Sequence, residues 1–206
     1  MNITGETKIF LGIALATVVI IVGGIFFFSK PTPLFTKENL ISAEATAVAP
    51  KDAKVYLVEF SDFQCPACKS LKPYVDEIKT SYKDKLLFAY RHFPLQQHQF
   101  ARSSAYAAEA AGEQGKFWEM YDFLFANQEK LSEGKIAEGA KLLGLDLKKY
   151  DEDFKSEKIK NKINKDLADG QKFGVDGTPT FYLNGKKLDL TNFTDLRKAV
   201  DEAINN

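Results

Sequence analysis

The sequence predicts an α/β domain with a mixed β-sheet and helices on both of its faces. The order of the elements supports this: a strand, a helix and a second strand come first, a long helical region follows, and two strands and a helix end the chain. A strand, helix and strand in succession form a right-handed crossover, which makes the two strands parallel. The two late strands flank Asn184-Gly185, a dipeptide typical of a tight hairpin, and are therefore expected to be antiparallel.

Each element has its own signal in the sequence. Residues 54–60 are a β-branched and aromatic run with the length of a strand, and residues 86–93 are predicted to form a second strand. Between them, a helix is predicted from about Cys65 to Tyr82. At about 98–170, apolar residues recur at helical spacing without strand signals, which predicts a helical insertion. Asn192 is a suitable N-cap for a final amphipathic helix.

An apolar segment precedes this domain. Residues 9–29 contain no charged residue, and a bilayer core about 30 Å thick requires roughly 20 apolar residues in a helix. Three phenylalanines close the segment, whereas a secretory signal has a shorter apolar core followed by small residues at the cleavage site. A transmembrane signal anchor is therefore favoured over a cleaved signal. The predicted organisation is a flank at 1–8, the anchor at 9–29, a linker at 30–53 and the domain at 54–206.

The charge of the chain argues against one class of partner. Lysine plus arginine and aspartate plus glutamate are 28 each, and proteins that bind nucleic acids usually have a basic surplus. No nucleic-acid partner is expected.

The charges beside the anchor are Lys8 before it and Lys30 and Lys37 after it. They do not indicate an outside C-terminus, so the expected topology depends on the chemistry of the domain.

The two cysteines of the chain, Cys65 and Cys68, stand three positions apart, where the first strand meets the helix. A structural zinc site requires four ligands, and the chain adds only His92 and His98 as histidines. Two inert core cysteines are a second possibility, but Pro66 and the polar residues before it indicate a junction at the surface. A reactive dithiol, the third possibility, agrees best with this position.

A dithiol at this junction has a physical basis. Cys65 comes where the helix begins, so unpaired backbone N–H groups and the helix dipole stabilise its thiolate. Pro66 suits the first helical turn because it has no N–H group. A lower thiolate pKa makes Cys65 the better nucleophile and the better leaving group in disulfide exchange. Cys68, one turn deeper, is expected to be more buried and to act as the resolving thiol.

Longer stretches of the sequence resemble one family. EFSDFQCPAC after a strand, VDGTPTFYLNG about 110 residues later, and RHFPL and GKFWEMYDFLF between them resemble the DsbA-like thiol:disulfide oxidoreductases. The resemblance extends from about residue 54 to 204, and it implies a thioredoxin fold with a helical insertion. A Cys-x-x-Cys motif alone is common, but the cysteine pair, Thr-Pro and hairpin in this order are a specific combination.

The resemblance implies roles for four residues. Cys65 is the nucleophile, and Cys68 is its partner in the redox-active disulfide. Pro179 is a cis proline that faces this disulfide, and the backbone of Thr178 pairs with the extended chain of the substrate. A trans proline that opens a strand is the alternative.

Other positions near the cysteines carry further expectations. Pro66 and Ala67 complete the active-site motif, and strongly oxidising members of the family have histidine where this chain has Ala67, so one source of thiolate stabilisation is missing. Glu59 lies near the end of the first strand, where family members often bury an acid. A buried Glu59 would have a raised pKa and could shuttle the proton of Cys68, whereas an outward-facing carboxylate would not. Arg91 and His92 are expected to lie at the surface or to anchor a loop.

Together these observations predict a membrane-tethered thiol:disulfide oxidoreductase that forms disulfide bonds in translocated proteins outside the cytoplasm. The Cys65–Cys68 disulfide is the redox centre, so no organic cofactor and no metal is expected, and by resemblance a membrane reoxidant of the DsbB type restores it. The substrates are exported proteins that bear cysteines, and the enzyme is expected to be a monomer. The alternatives are a reductase or isomerase with the same site, or a tethered peptide-binding or chaperone module with incidental cysteines.

Overall fold

The structure, a computed structural model, describes residues 15–20, 35–42, 45–48, 50 and 52–205. Within these residues no helix has the length and apolar character needed to cross a membrane. Residues 15–20 are helical, but the rest of the predicted anchor and the flank before it lie outside the described residues, so the anchor stays a prediction.

Five strands form a mixed sheet. They are β1 (Thr46–Val48), β2 (Val55–Ser61), β3 (Leu86–His92), β4 (Thr180–Leu183) and β5 (Lys186–Lys187), in the spatial order β1-β3-β2-β4-β5. β2 and β3 are parallel, and every other pair is antiparallel. The predicted mixed sheet, with a parallel crossover pair followed by an antiparallel hairpin, is confirmed.

Helices cover both faces of this sheet, and five of them form the predicted insertion between β3 and β4. β2 is central and entirely buried, and its residues alternate between the two apolar clusters on either side of the sheet. The helices are α1 (Lys37–Leu40), α2 (Pro66–Ser81), α3 (Ala101–Gly112), α4 (Phe117–Ala126), a 3₁₀ turn (Gln128–Lys130), α5 (Glu133–Leu142), α6 (Leu147–Lys155), α7 (Glu157–Phe173) and α8 (Phe193–Asn205).

The linker predicted at 30–53 needs a correction. Within it, α1 buries Leu40 completely, and β1 pairs with β3 as an antiparallel edge strand. The domain therefore begins near residue 34, where the second compact unit of the chain starts, rather than at 54. A four-residue helix and a three-residue strand are too short to show a hydrophobic period, which is why composition suggested a tether.

The hairpin between β4 and β5 also holds the N-terminal segment. Asn184 and Gly185 have φ angles of 48° and 87°, the positive values that a tight hairpin turn requires. The backbone N–H of Phe35 donates to the carbonyl of Gly185 at 2.9 Å, and a Cβ atom at Gly185 would lie 2.2 Å from the carbonyl oxygen of Phe35. Both the turn and this close approach therefore require glycine.

Arg91 and His92 are buried, so of the two expected placements the surface one is wrong. The Arg91 side chain is fully buried, and it donates to Asp166 and Asp169 of α7 and to the carbonyl of Leu40. Such a buried guanidinium is tolerated because its donors are paired. Arg91 thus connects β3 to the insertion and to the N-terminal segment.

Candidate active site

The two cysteines lie at the start of α2, where the sequence analysis placed them. Cys65 is the N-cap residue in an extended conformation, and Pro66 is the first helical residue. Both cysteines are free thiols, with Cys68 the more buried at 1% exposure against 6% for Cys65. Cys65, the predicted nucleophile, therefore stands at the helix N-terminus, and Cys68 faces the core one turn further on.

The surroundings of Cys65 stabilise its thiolate. Hydrogen bonding from the Cys68 thiol, assisted by Thr178 and by the backbone N–H groups of Cys68 and Ala67, outweighs the opposing effect of burial and lowers the pKa of Cys65 to about 5. The positive end of the helix dipole acts in the same direction. This lowering occurs with alanine at position 67, so it does not depend on an imidazole between the cysteines.

Cys68 has the opposite environment. Burial first, then the hydrogen bond given to Cys65 and the nearby Glu59 carboxylate, raise the pKa of Cys68 well above its ordinary value. The two thiols thus differ strongly in pKa: Cys65 is ionised at neutral pH, and Cys68 stays protonated. This division separates an attacking or leaving thiolate from a resolving thiol.

Thr178 and Pro179 approach the nucleophile from the other side of the site. The peptide bond between them is cis, as the resemblance implies. Cys65 Sγ lies 3.2 Å from the carbonyl oxygen of Thr178, to which it donates when the thiol is protonated. The protonated thiol therefore engages this carbonyl, whereas the thiolate, which has no proton to donate, leaves it free.

Glu59 is buried beneath the cysteines. It is 2% exposed on β2, so it is not the outward-facing carboxylate of the alternative interpretation. Burial raises the pKa of Glu59 to about 7, against smaller lowering effects of Ser61 and Lys79. A buried acid that titrates near neutrality beside a protonated thiol has the properties that proton transfer requires.

Gln128 is a residue of the site that sequence reasoning missed. Its amide nitrogen donates to the backbone carbonyls of Phe63 and Cys65, at 2.8 and 2.9 Å, from a buried position in the 3₁₀ turn after α4. The helical insertion thereby holds the loop that carries the nucleophile. No local pattern marks a glutamine that acts 63 residues away in the chain.

Asp62 organises the same loop from within. Its carboxylate accepts hydrogen bonds from the backbone N–H of Gln64 at 2.7 Å, the backbone N–H of Leu95 at 2.8 Å and Nδ1 of His98 at 2.7 Å. The first of these is the local turn that aspartate commonly forms with the residue two positions on, so part of this role was detectable in the sequence.

The histidines required for the zinc alternative are engaged elsewhere. His98 is paired with Asp62, and Nε2 of His92 lies 2.8 Å from Glu109 in the core. Among the residues that the structure describes, no three His, Cys, Asp or Glu side chains are grouped so that they could hold a metal ion.

A mixed sheet with a Cys-x-x-Cys pair at a helix N-terminus, opposite a cis proline, defines a thioredoxin fold with a dithiol site. A protein-family model described as Thioredoxin matches residues 45–202. The chain therefore belongs to the thioredoxin family. That match begins one residue before β1, so it includes the edge strand that lies within the predicted linker.

Solved structures share this fold. A thioredoxin-like oxidoreductase from Silicibacter pomeroyi DSS-3 superposes with a TM-score of 0.72 and 25% identity, over 84% of this chain and 99% of that one. The thiol-disulfide exchange protein alpha-DsbA2 from Wolbachia pipientis gives 0.73 and 22%, over 81% and 91%. BdbD from Bacillus subtilis gives 0.70 and 21%, over 85% and 98%.

Curated relatives match a shorter part of the chain. A protein named Na(+)/H(+) antiporter NhaA 1 from Mycobacterium sp. (strain KMS) is 37% identical over 139 residues, 66% of this chain and 23% of its own length. Na(+)/H(+) antiporter NhaA 3 from Salinispora tropica is 39% identical over 139 residues, with 67% and 21% covered. The chain thus spans about a fifth of the length of these relatives.

Proposed function

We propose that this protein is a thiol:disulfide oxidoreductase that forms disulfide bonds in exported proteins through Cys65 and Cys68. The observation that carries the proposal is the opposite displacement of the two thiol pKa values, down to about 5 for Cys65 and upward for Cys68, at a helix N-terminus facing a cis proline. Two of the similar structures are described as a thioredoxin-like oxidoreductase and a thiol-disulfide exchange protein, which supports the same class.

The reaction proceeds by two exchanges. A substrate thiolate attacks Cys65 Sγ of the Cys65–Cys68 disulfide, so that a substrate–Cys65 bond forms, the enzyme disulfide breaks, and the electron pair goes to Cys68. The second substrate thiolate then attacks the substrate sulfur of this mixed disulfide, and Cys65 leaves as a thiolate. The substrate is oxidised by two electrons, and the enzyme is left as the dithiol.

The site favours this direction of electron flow. Because the folded protein stabilises the Cys65 thiolate, it stabilises the dithiol relative to the disulfide, which makes the disulfide an oxidant. The same site running as a reductase or isomerase is the alternative direction. A weakly stabilised thiolate would favour that alternative, and the pKa of about 5 does not.

A groove beside the site offers a place for the substrate chain. It has a volume of about 490 Å³ and includes Leu71, Pro179, Leu188 and Leu190, with charged residues at its edges. In the enzyme disulfide and in the mixed disulfide, Cys65 has no proton, so it cannot donate a hydrogen bond to the Thr178 carbonyl. That carbonyl then becomes available to the substrate backbone, in keeping with the pairing that the resemblance implies.

The proposal includes a membrane tether at 9–29, a catalytic domain outside the cytoplasm, and a membrane reoxidant of the DsbB type that accepts the electrons of the dithiol. The length and charge-free character of residues 9–29 support the tether. The oxidising site supports the location, since disulfides form and persist outside the cytoplasm.

A redox titration against glutathione tests the proposal. The Cys65–Cys68 couple is expected to be more oxidising than thioredoxin, whose potential is about −270 mV, and the purified protein is expected to oxidise a reduced model substrate. A reduction potential at or below that of thioredoxin would rule out the oxidase hypothesis and favour the reductase hypothesis. Cys65→Ser separates both from a peptide-binding module, which would keep its cellular effect without the nucleophile.

A further inference from the structure

Three buried polar atoms around Cys68 have no hydrogen-bond partner. They are Oε2 of Glu59, Oγ of Ser61 and the hydroxyl of Tyr90, on side chains that are at most 2% exposed. An unpaired buried polar group typically costs about 1–3 kcal/mol. Three such groups around one thiol therefore point to a role that folding alone does not explain.

The sheet brings these three side chains to one face. Glu59 and Ser61 are two residues apart on β2 and therefore point to the same side, and Glu59 is directly paired with Tyr90 on β3. That side of the sheet packs against Cys68, which belongs to the same buried cluster as Tyr90. The carboxyl, two hydroxyls and a thiol thus share one pocket of the core.

Ser61 occupies the middle of this group. Its hydroxyl lies outside hydrogen-bonding geometry in the dithiol form, but it is near enough to favour the charged forms of Glu59, Cys68 and Tyr90 and so lowers the pKa of each, against the larger raising effect of burial. A hydroxyl both donates and accepts and rotates freely. It can therefore receive a proton from one neighbour while giving one to the other.

The charges of Glu59 and Cys68 oppose each other, because a carboxylate at Glu59 disfavours a thiolate at Cys68. Since the two anions disfavour each other and the pKa of Cys68 lies above that of Glu59, a thiolate formed at Cys68 takes the proton that Glu59 holds. The groups that face the pair from the packed elements are Cys65, Asp76 and Lys79 on α2, Tyr90 on β3 and Tyr121 on α4.

We propose that the Ser61 hydroxyl relays a proton between Glu59 and Cys68 during disulfide exchange, with the Tyr90 hydroxyl positioning Ser61. This inference rests on the proposed function. When the enzyme disulfide breaks, Cys68 Sγ takes a proton from Ser61, and Ser61 takes one from Glu59, which is left as a carboxylate. When the disulfide forms again and Cys68 loses its proton, the transfer runs backward and Glu59 is protonated. The proton is stored inside the protein through the cycle.

The chain offers matched controls for a test. Ser104 of α3 and Tyr150 of α6 also bury a hydroxyl without a hydrogen-bond partner, and neither is among the main groups that shift the pKa of Glu59 or Cys68. Ser61→Ala and Ser104→Ala therefore remove the same group, as do Tyr90→Phe and Tyr150→Phe. Because each lost hydroxyl was unpaired, none of the four changes is expected to lower stability much.

The experiment measures, by rapid mixing over a range of pH, how fast a thiol peptide opens the Cys65–Cys68 disulfide of the full chain. Ser61→Ala is expected to slow opening at least about tenfold, a small part of what acid–base catalysis commonly contributes, and to remove the inflection near the pKa of Glu59. Tyr90→Phe is expected to slow it less, and Ser61→Thr, which keeps the hydroxyl, to restore it. The two control variants are expected to match the wild type.

Equal rates for Ser61→Ala and Ser104→Ala would overturn the relay while leaving the oxidoreductase intact. If Ser61→Ala does not fold, a Tyr90→Phe rate and pH profile equal to those of Tyr150→Phe would overturn it instead. A wild-type chain that fails to exchange with any thiol would remove the proposed function and the relay with it, so the two failures are distinguishable.

Discussion

At the scale of single residues, the site works by treating two neighbouring thiols differently. Cys65 receives hydrogen bonds from Cys68 and from backbone N–H groups, whereas Cys68 is desolvated and faces a carboxylate. Both effects come from a difference of about one turn in position at the start of one helix. The chemistry therefore depends on the placement of the residues more than on their identity.

The pKa of the nucleophile gives the first prediction. The thiolate absorbance of the reduced protein is expected to titrate with a midpoint near pH 5, and Cys65→Ser is expected to remove this transition. Cys68→Ala is expected to raise the midpoint, because the Cys68 thiol makes the largest contribution to the lowering. A wild-type midpoint near the ordinary value of 9.0 would contradict the described environment of Cys65.

Burial of Glu59 predicts a pH-dependent stability. A carboxyl whose pKa is raised on folding binds its proton more tightly in the folded state, so the stabilising effect is complete below about pH 4.5 and is lost as pH rises through about 7. The difference of about 2.5 units corresponds to roughly 3 kcal/mol, as an order of magnitude.

Denaturant unfolding of the disulfide form, in which neither thiol titrates, measures this effect. The free energy of unfolding of the wild type relative to Glu59→Gln is expected to fall as pH rises across that interval. Parallel pH profiles for the two proteins would show that the folded and unfolded states share one pKa for Glu59.

At the scale of secondary-structure elements, the side-chain amide of Gln128 joins the helical insertion to the loop that carries Cys65. Gln128→Met keeps the size of the side chain but removes the donor to the carbonyls of Phe63 and Cys65. We expect a loss of about 1–3 kcal/mol in the free energy of unfolding, typical of buried acceptors left unpaired, together with slower exchange at Cys65.

Gln114→Met is the control for this prediction, because Gln114 also bonds the backbone of another element, at Asp146, but does so at the surface. Changes at such sites are usually within about 0.5 kcal/mol. Equal effects of the two substitutions would argue against a specific role of Gln128 in holding the loop.

The N-terminal segment provides a second prediction at this scale. Removal of residues 1–53 deletes β1 and the buried Leu40, and it leaves β3 without its edge partner. This variant is expected to unfold at a lower temperature and to aggregate, since an uncovered strand edge pairs with other chains. Removal of residues 1–33 is expected to have little effect, and equal melting temperatures would restore the linker interpretation.

Sequence reasoning succeeded where a signal is local or periodic. The strands of 54–60 and 86–93, the helix at Cys65 and the Asn184-Gly185 turn all have such signals, and the structure has them at nearly the same bounds. It failed for β1, which is too short to show a period, and for Gln128 and Arg91, whose partners are distant in the chain. The burial of Arg91 depends on carboxylates 75 or more residues away, which no local pattern reveals.

At the scale of the whole molecule, the proposed anchor at 9–29 would fix the location of the domain. Protease added to intact cells is expected to degrade the domain if it lies outside the cytoplasm, while the segment before residue 30 stays with the membrane fraction. Deletion of residues 1–29 is expected to release the protein from that fraction. A protected domain in intact cells would place the site in a reducing compartment and favour the reductase.

With the proposed anchor held in a membrane, the course of residues 35–48 along the domain would also determine how the protein bears mechanical load. Tension applied at an anchored N-terminus reaches the Phe35–Gly185 hydrogen bond first, then the Leu40–Arg91 contact, and then the short β1 ladder. These contacts lie in series ahead of β2 and the helix that carries the cysteines, and edge segments with few contacts open at low free energy. Residues 35–48 would therefore separate from the domain first. Force on the tether would break these contacts before it changed the positions of Cys65 and Cys68.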